Sequence, residues 1–242
     1  MATPRGRLPM QALANIPEAY WLDLAAFGWF VVLTLLYVAI SGTGRTGGRS
    51  IMAAIHARRV EWMRNMAQRE TRTEDLILLQ NLATANTFFA STSVIAIGGL
   101  AALLGSGDRV TAILAIIPFV AKAEPIMFEL KIFFLMLLFI YAFFKFAWAY
   151  RLAHYTAIMI GSTPIAAPEH AEACERYARS AARLAGLSAE HANAGFRTYY
   201  FAIAGITWFL HPLIFMGATL WVLVILVRRE FFSRSRRAIL GV

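Results

Sequence analysis

Long segments without a charged side chain constrain this chain more than any other feature of its sequence. Residues 24–44, 76–107 and 198–227 comprise 21, 32 and 30 residues without one Asp, Glu, Lys or Arg. A helix needs about 20 apolar residues to cross the hydrocarbon core of a bilayer, because each residue adds about 1.5 Å to its length. Each of these segments is therefore long enough to span a membrane as a helix.

The composition favours lipid as the solvent. Hydrophobic residues make up 59% of the 242 residues and charged residues only 15%, which lies outside the range of soluble domains. We therefore predict an all-α integral membrane protein with a four-helix transmembrane bundle and with amphipathic and soluble cytoplasmic helices, all within one membrane domain. The predicted spans are residues 22–42, 82–106, 126–150 and 198–227, with a kink or break at His211-Pro212 in the last.

Two long connections, residues 45–75 and 165–196, are predicted to contain cytoplasmic helices. The first has apolar residues on one helical stripe, which is typical of a helix lying on a membrane surface. These residues are Ile51, Ile55, Trp62 and Met66. In the second connection, Pro168 stands where a helix would begin and Gly186 where it would stop.

The distribution of basic residues predicts the orientation of the spans. Residues 45–75 contain seven Arg and Lys residues and residues 151–197 contain five, against two each for the N-terminus and the second loop. The positive-inside rule places the two richer connections in the cytoplasm. Four crossings would then leave five arginines of residues 228–237 outside, so a re-entrant last segment that returns the tail to the cytoplasm remains an alternative.

Charged residues within or beside the spans are candidates for function, because an unpaired charge in the bilayer core costs at least about 2.5–3.5 kcal/mol. Lys131 and Lys145 lie 14 residues apart on one face of the third span, and Glu129 precedes them. The two lysines either extend to opposite interfaces or pair with acids inside the bundle. In the second case, an antiparallel second helix would bring Asp108 toward Lys131 and Asp75 toward Lys145.

Small residues in the second span predict a close helix contact. Gly98 and Ala102, like Ala101 and Gly105, are four residues apart, and Gly99 lies beside them. Small side chains let helix backbones approach each other where lipid provides no hydrophobic driving force. A contact within the chain and a contact with a second copy or another protein both fit this pattern.

A second group of polar residues could contact a lipid headgroup or another anion at the inner membrane surface. The group consists of Arg151, His154, His191, Asn193 and Arg197. Arginine offers a planar fork that binds phosphate or carboxylate through two hydrogen bonds. Simple anchoring at the interface is the alternative interpretation.

Several functional classes find no support in the sequence. The net charge of +9 comes from arginines that separate apolar stretches, and the aromatic residues lie inside those stretches, so nucleic-acid binding is not expected. One cysteine, Cys174, cannot form an internal disulfide. His211 is the one histidine within an apolar span, and Ser91, Thr92 and Ser93 have no histidine in their span. We therefore predict no catalytic site, no metal and no cofactor.

Several local motifs resemble those of a known family. They are FFASTS at 88–93, AIGG at 96–99, AALLG at 101–105, ELK at 129–131 and YAFFKFAW at 141–148. With these residues, the chain resembles a group of bacterial and plant membrane proteins known only as a domain of unknown function. The resemblance implies a multi-pass protein of the bacterial inner (plasma) membrane and carries no known activity.

Two functional hypotheses follow. The first is a non-enzymatic accessory or scaffold protein that packs with itself, as a homo-oligomer, or with a larger membrane complex. The alternative is a small oligomeric transporter or channel in which Glu129, Lys131 and Lys145 line a polar route. In both cases the lipid bilayer is the immediate partner.

Overall fold

The computed structural model describes residues 18–42, 50–105, 125–232 and 234–240, and their regular secondary structure is helical throughout. In chain order the helices are α1 (Glu18–Gly42), α2 (Ile51–Ala67), α3 (Thr73–Leu104), α4 (Pro125–Gly161), α5 (Ala171–Ile206), α6 (Pro212–Phe231) and α7 (Arg234–Leu240). Single turns of 3₁₀ helix at Pro168–His170 and Thr207–Phe209 precede and follow α5. The apolar stretch at residues 110–121, which at 12 residues is too short to span a bilayer and which we predict to lie at the membrane interface, is outside the described residues.

Among the described helices, four are long and apolar enough to cross a membrane: α1, α3, α4 and α6. Each exposes large apolar side chains: Leu35 is 62% exposed, Ile95 74%, Phe144 64% and Trp221 68%. Apolar surface on this scale is unfavourable in water but matches lipid hydrocarbon. The predicted fold class, an all-α membrane protein with four candidate spans, is confirmed.

An aromatic core joins α1, α4, α6 and the turn that follows α5. Phe30 of α1 lies 5.1 Å from Phe134 and 5.5 Å from Phe215 between ring centroids, and Trp208 stacks on Phe215 at 4.9 Å. Such ring pairs add about 0.5–1.5 kcal/mol each beyond their buried area. This core holds the first and last spans together although they are far apart in sequence.

Glycines of α5 allow this helix to lie unusually close to α4. A Cβ atom added at Gly195 would lie 2.6 Å from the ring of Phe146, and one added at Gly205 would lie 2.7 Å from a methyl group of Leu135. Phe146 and Leu135 are themselves buried. The close helix contact that small residues permit in a membrane is therefore made between α4 and α5.

The predicted span at residues 198–227 is two helices and not one. Helix α5 ends at Ile206 and α6 begins at Pro212, whose ring cannot continue a helix and suits the first helical turn. The side chain of His211 caps α6, since its Nδ1 accepts a hydrogen bond from the Leu213 N–H at 3.1 Å. The break foreseen at His211-Pro212 is thus a complete reversal of direction.

The reversal brings the end of the chain back beside the middle of α5. Arg229 near the end of α6 donates a hydrogen bond to the Tyr200 hydroxyl at 3.0 Å, so α5 and α6 run antiparallel. Beyond α6, Arg58 of α2 donates to the carbonyl of Ile239 at 3.2 Å. The tail therefore lies on the same side of the bundle as α2, as the re-entrant alternative predicted. The prediction that residues 198–227 form a single crossing was wrong.

Helix α2 forms at the predicted position but packs mainly on protein. Ser50 caps it by accepting a hydrogen bond from the Ala53 N–H at 3.1 Å. Met63 and Met66 are fully buried in a core with alanines of α5, including Ala181. Gly186 does not end a helix, because α5 continues through it to Ile206. Instead, Gly186 lies where α2 approaches closely, since a Cβ added there would lie 3.0 Å from the His56 ring.

Replacing Gly195 with Ala should lower the stability of the protein in detergent. The added Cβ would meet the buried ring of Phe146, and overpacking of this kind costs about 1–3 kcal/mol. The midpoint of thermal unfolding measures the effect. Gly217→Ala is the matched control, since no described atom lies within 4 Å of its added Cβ and alanine is the better helix former. Equal midpoints for the two variants would contradict the close α4–α5 packing.

Candidate functional site

Lys131 of α4 is buried within the bundle and neutralised there. Its ammonium lies 2.8 Å from a carboxylate oxygen of Asp23 on α1 and 3.3 Å from the carbonyl oxygen of Trp208. The Trp208 indole N–H donates to the same Asp23 oxygen at 2.6 Å, and its ring lies 5.2 Å from the ammonium. One ion pair therefore ties α1, α4 and the turn between α5 and α6 together.

The sequence suggested Asp108 as the partner of Lys131, whereas the structure pairs Lys131 with Asp23. Asp108 lies outside the described residues, whereas Asp23 satisfies Lys131. Asp23 and Lys131 both stand near the first residues of their helices, and α1 and α4 run in the same direction, so the two meet at one depth. In the sequence, Asp23 looked only like the flank of the first apolar segment. We call this end of the bundle the Asp23 end.

Asp75 has partners close to it in sequence and does not pair with Lys145. It is fully buried at the first turn of α3, where it accepts hydrogen bonds from Arg69 at 2.6 Å and from the Trp62 indole at 2.7 Å. Negative charge is favourable at this end of a helix. Asp75 therefore holds α2 and the turn after it against α3, and its predicted pairing with Lys145 was wrong.

Lys145 and Glu129 lie apart from Lys131. The Lys145 ammonium lies 5.0 Å from the ring centroid of Tyr141, one turn earlier on α4, and forms no ion pair with a described residue. Glu129 is exposed near the start of α4. The three charges therefore do not converge on a single path in the described part of the chain.

Gly98 and Gly99 of α3 do not pack against another part of the described chain. Gly98 and Gly99 are exposed, and no described atom lies within 4 Å of a Cβ added at either. Gly105 and Ala102 are also exposed. No described helix therefore makes a close contact with Gly98 or Gly99. A contact with a different chain is taken up below.

The five predicted anion contacts separate into two groups. Asn193 and Arg197 of α5 line a polar cavity of 460 Å³. Arg151 is exposed and donates to the Tyr155 hydroxyl at 2.7 Å, His154 is exposed on α4, and the His191 ring centroid lies 6.4 Å from that of Trp148. These three do not line the polar cavity.

The polar cavity also contains residues that the sequence did not single out. It is formed by α1, α2, α5 and α6, and its charged lining residues are Arg59, Glu190, Arg197, Arg229 and Glu230. Arg59 and Arg229 are 170 positions apart and looked like ordinary flanking arginines. The antiparallel return of α6 is what brings them together, and only a prediction of that reversal could have found them. We call this end of the bundle the arginine-rich end.

His191 lies outside the polar cavity in an environment that keeps it neutral. Burial lowers the pKa of His191 below its usual 6.5, the charge of Lys145 lowers it further, and Glu190 opposes both. Its Nδ1 is buried without a hydrogen bond to a described residue. Elsewhere in the described ranges, no three His, Cys, Asp or Glu side chains gather to hold a metal ion.

Breaking the Lys131–Asp23 pair from one side should destabilise the protein strongly. Removing one partner of a buried ion pair leaves an uncompensated charge, which costs about 3–5 kcal/mol. We expect Lys131→Met and Asp23→Asn each to lower the unfolding midpoint in detergent, and the double variant to lose less than the sum of both. Lys145→Met is the control. A double variant whose loss equals the sum would show that the pair is not coupled.

The proton affinity of His191 should respond to Lys145. Since Lys145 lowers the pKa of the imidazole, we expect Lys145→Met to raise the His191 midpoint toward 6.5 and Lys145→Arg to leave it low. NMR titration of the ring resonances in detergent measures the midpoint. A midpoint that is the same in all three proteins would contradict the proximity of the two groups.

The comparisons with known proteins identify a family but no activity. No curated protein and no solved structure matches the chain. A family described as "Protein of unknown function, DUF599" matches residues 25–235, which include the motifs quoted above. The chain therefore belongs to this family of proteins of unknown function.

Proposed function

We propose that the protein is a non-enzymatic accessory or scaffold component of a membrane, which associates with a second copy of itself or with a larger membrane complex. The observation that carries the proposal is the exposed position of Gly98 and Gly99 on α3. The surface involved, here called the α3 glycine face, consists of Ala90, Ser91, Val94, Ile95, Gly98 and Gly99.

The last turns of α3 are only partly covered by the rest of the described bundle. The buried residues of α3 are Asp75, Leu79, Ala83, Asn86 and Ser93, so none of the described residues from 94 to 105 is buried. Side chains around the two glycines are strongly exposed, Val94 by 53% and Ile95 by 74%. A glycine pair in an exposed helix lowers intrinsic helix stability, and close contact with another helix would offset that cost.

The geometry of the α3 glycine face suits a helix–helix contact in lipid. Gly98 and Gly99 leave the backbone of α3 uncovered for about one turn, and Ile95 stands one turn before them. Neighbouring helices in membranes associate by van der Waals packing at such flat surfaces, with small residues at the closest point. A second copy could present the same surface in a two-fold arrangement.

The alternative, a transport route lined by Glu129, Lys131 and Lys145, is less well supported. Lys131 is enclosed by Asp23 and Trp208 in a contact that stabilises the bundle. Lys145 lies against Tyr141, and Glu129 is exposed near the start of α4. An ammonium held by a carboxylate, a carbonyl and an aromatic ring has little capacity to bind a passing ion.

Substitution of the two glycines should reduce association in a bilayer. We expect Gly98→Leu together with Gly99→Leu to weaken self-association at least tenfold, measured by energy transfer between labelled copies in vesicles, or to remove co-purifying membrane proteins. Gly217→Leu on α6 is the matched control, since Gly217 is likewise exposed with no described atom near its added Cβ.

The result that would contradict the proposal is equally specific. Unchanged energy transfer and an unchanged set of co-purifying proteins in the Gly98→Leu, Gly99→Leu variant would remove the role of the α3 glycine face. If Lys145→Met also abolished ion flux in reconstituted vesicles, the transporter would replace the scaffold.

A further inference from the structure

Two adjoining cavities at the arginine-rich end form one site with a polar and an apolar half. The polar cavity described above has a neighbour of 360 Å³, which is lined by residues of α2, α3, α4, α5 and α6. Residues that line both are Met52, Arg59, Asn193, Arg229 and Glu230. Each half lies within the size range of small-molecule sites, about 300–1,000 Å³, so a ligand with one polar and one apolar end could occupy both.

The charged groups of the polar half are not paired with one another. Among the described lining residues, three arginines (Arg59, Arg197 and Arg229) face two glutamates (Glu190 and Glu230), which leaves one positive charge in excess. None of the five forms an ion pair with a described residue. A ligand with a single negative charge would balance the site.

Arg59 is the arginine best placed to meet such a charge. It lines both halves, is partly buried, and makes no hydrogen bond or ion pair with any described residue. Burial lowers the pKa of its guanidinium, and only the field of Glu190 opposes this. A partly buried guanidinium without an anion is unfavourable, and a phosphate would supply two hydrogen-bond acceptors to its planar fork.

Arg197 is held in position on the opposite wall. One of its nitrogens donates to the Ser41 hydroxyl at 3.1 Å, and its guanidinium lies 5.5 Å from the ring centroid of Tyr37. Guanidinium carries five N–H donors, so most of them remain available after the bond to Ser41. Arg197 is therefore oriented by α1 while it can still bind a ligand.

The apolar half contains one polar side chain that lacks a partner. Asn86 of α3 is only 6% exposed, lines this half, and forms no hydrogen bond with the described residues. A hydrogen bond to a ligand in this cavity would satisfy the amide of Asn86. Around it lie apolar side chains of three helices: Ile55, Leu79, Leu82, Ala83 and Phe196. Ester carbonyl oxygens of a lipid would accept hydrogen bonds from Asn86 at this position.

We propose that these two cavities together bind one anionic phospholipid. Its phosphate diester lies between Arg59 and Arg197, its ester groups lie near Asn86, and one acyl chain follows the apolar half past Leu82. Leu82 is 63% exposed on α3, so the apolar half opens where lipid surrounds the bundle. Basic pockets between membrane helices bind the headgroups of anionic lipids in this way. The site is separate from the α3 glycine face and does not depend on it.

The test uses the full chain, stripped of lipid in detergent and titrated with short-chain phosphatidylglycerol, which carries one negative charge. Thermal unfolding reports binding, because a ligand that binds only the folded state raises the midpoint. We expect saturable stabilisation by phosphatidylglycerol, at least tenfold weaker binding of phosphatidylcholine, and none by inorganic phosphate at equal concentration. Inorganic phosphate that stabilised as well as the lipid would overturn the proposal in favour of a simple phosphate site.

Single-residue variants distinguish binding at this site from a general electrostatic attraction between anionic lipid and a basic protein. Arg59→Gln should weaken phosphatidylglycerol binding at least tenfold without lowering the midpoint of the lipid-free protein, because Arg59 forms no hydrogen bond or ion pair with a described residue. Asn86→Leu should weaken it by a smaller factor. Arg183→Gln is the matched control, since Arg183 is exposed on the same bundle outside both cavities. Equal binding by the Arg59→Gln and Arg183→Gln proteins would overturn the proposal.

Discussion

An ammonium group cannot stay unpaired in hydrocarbon, and the arrangement of this bundle follows the carboxylate that neutralises Lys131. Because Asp23 lies at the start of α1 and Lys131 near the start of α4, these two helices must run in parallel. Trp208 completes the contact through its indole N–H and its carbonyl oxygen, which places the end of α5 at the same depth. From that depth α6 can only return, and its arginines reach the opposite end of the bundle.

The same reversal decides what the arginine-rich end can bind. Because α6 runs antiparallel to α5 after the turn, Arg229 and Glu230 line the same cavity as Asn193 and Arg197. Helix α2 closes it with Arg59, since its methionines are buried against alanines of α5. A chain with a single straight fourth span would have carried Arg229 to the other membrane surface and left no such cavity. The proposed phospholipid site therefore depends on the hairpin formed by α5 and α6.

Part of the candidate site was predictable from sequence and part was not. Asn193 and Arg197 could be predicted as anion contacts because few polar residues lie directly beside the start of an apolar segment. Arg59 resembled every other arginine of a surface helix, and Asn86 was one polar residue in a long apolar run. Within the described chain the close helix contact is made by Gly195, which faces Phe146, and not by Gly98 or Gly99. Spacing along one helix cannot say which neighbour a face will meet.

The amino-acid sequence by itself determined that this chain is helical, that it belongs in a bilayer and where the apolar segments lie, because length and the absence of charge set the cost of leaving lipid. It also placed the helix break at His211-Pro212, since proline cannot continue a helix. Only the tertiary structure decided the direction taken after that break, the partner of Lys131 and the placement of Arg59 and Arg197 around one cavity. These depend on contacts between different helices, and local patterns carry no information about them.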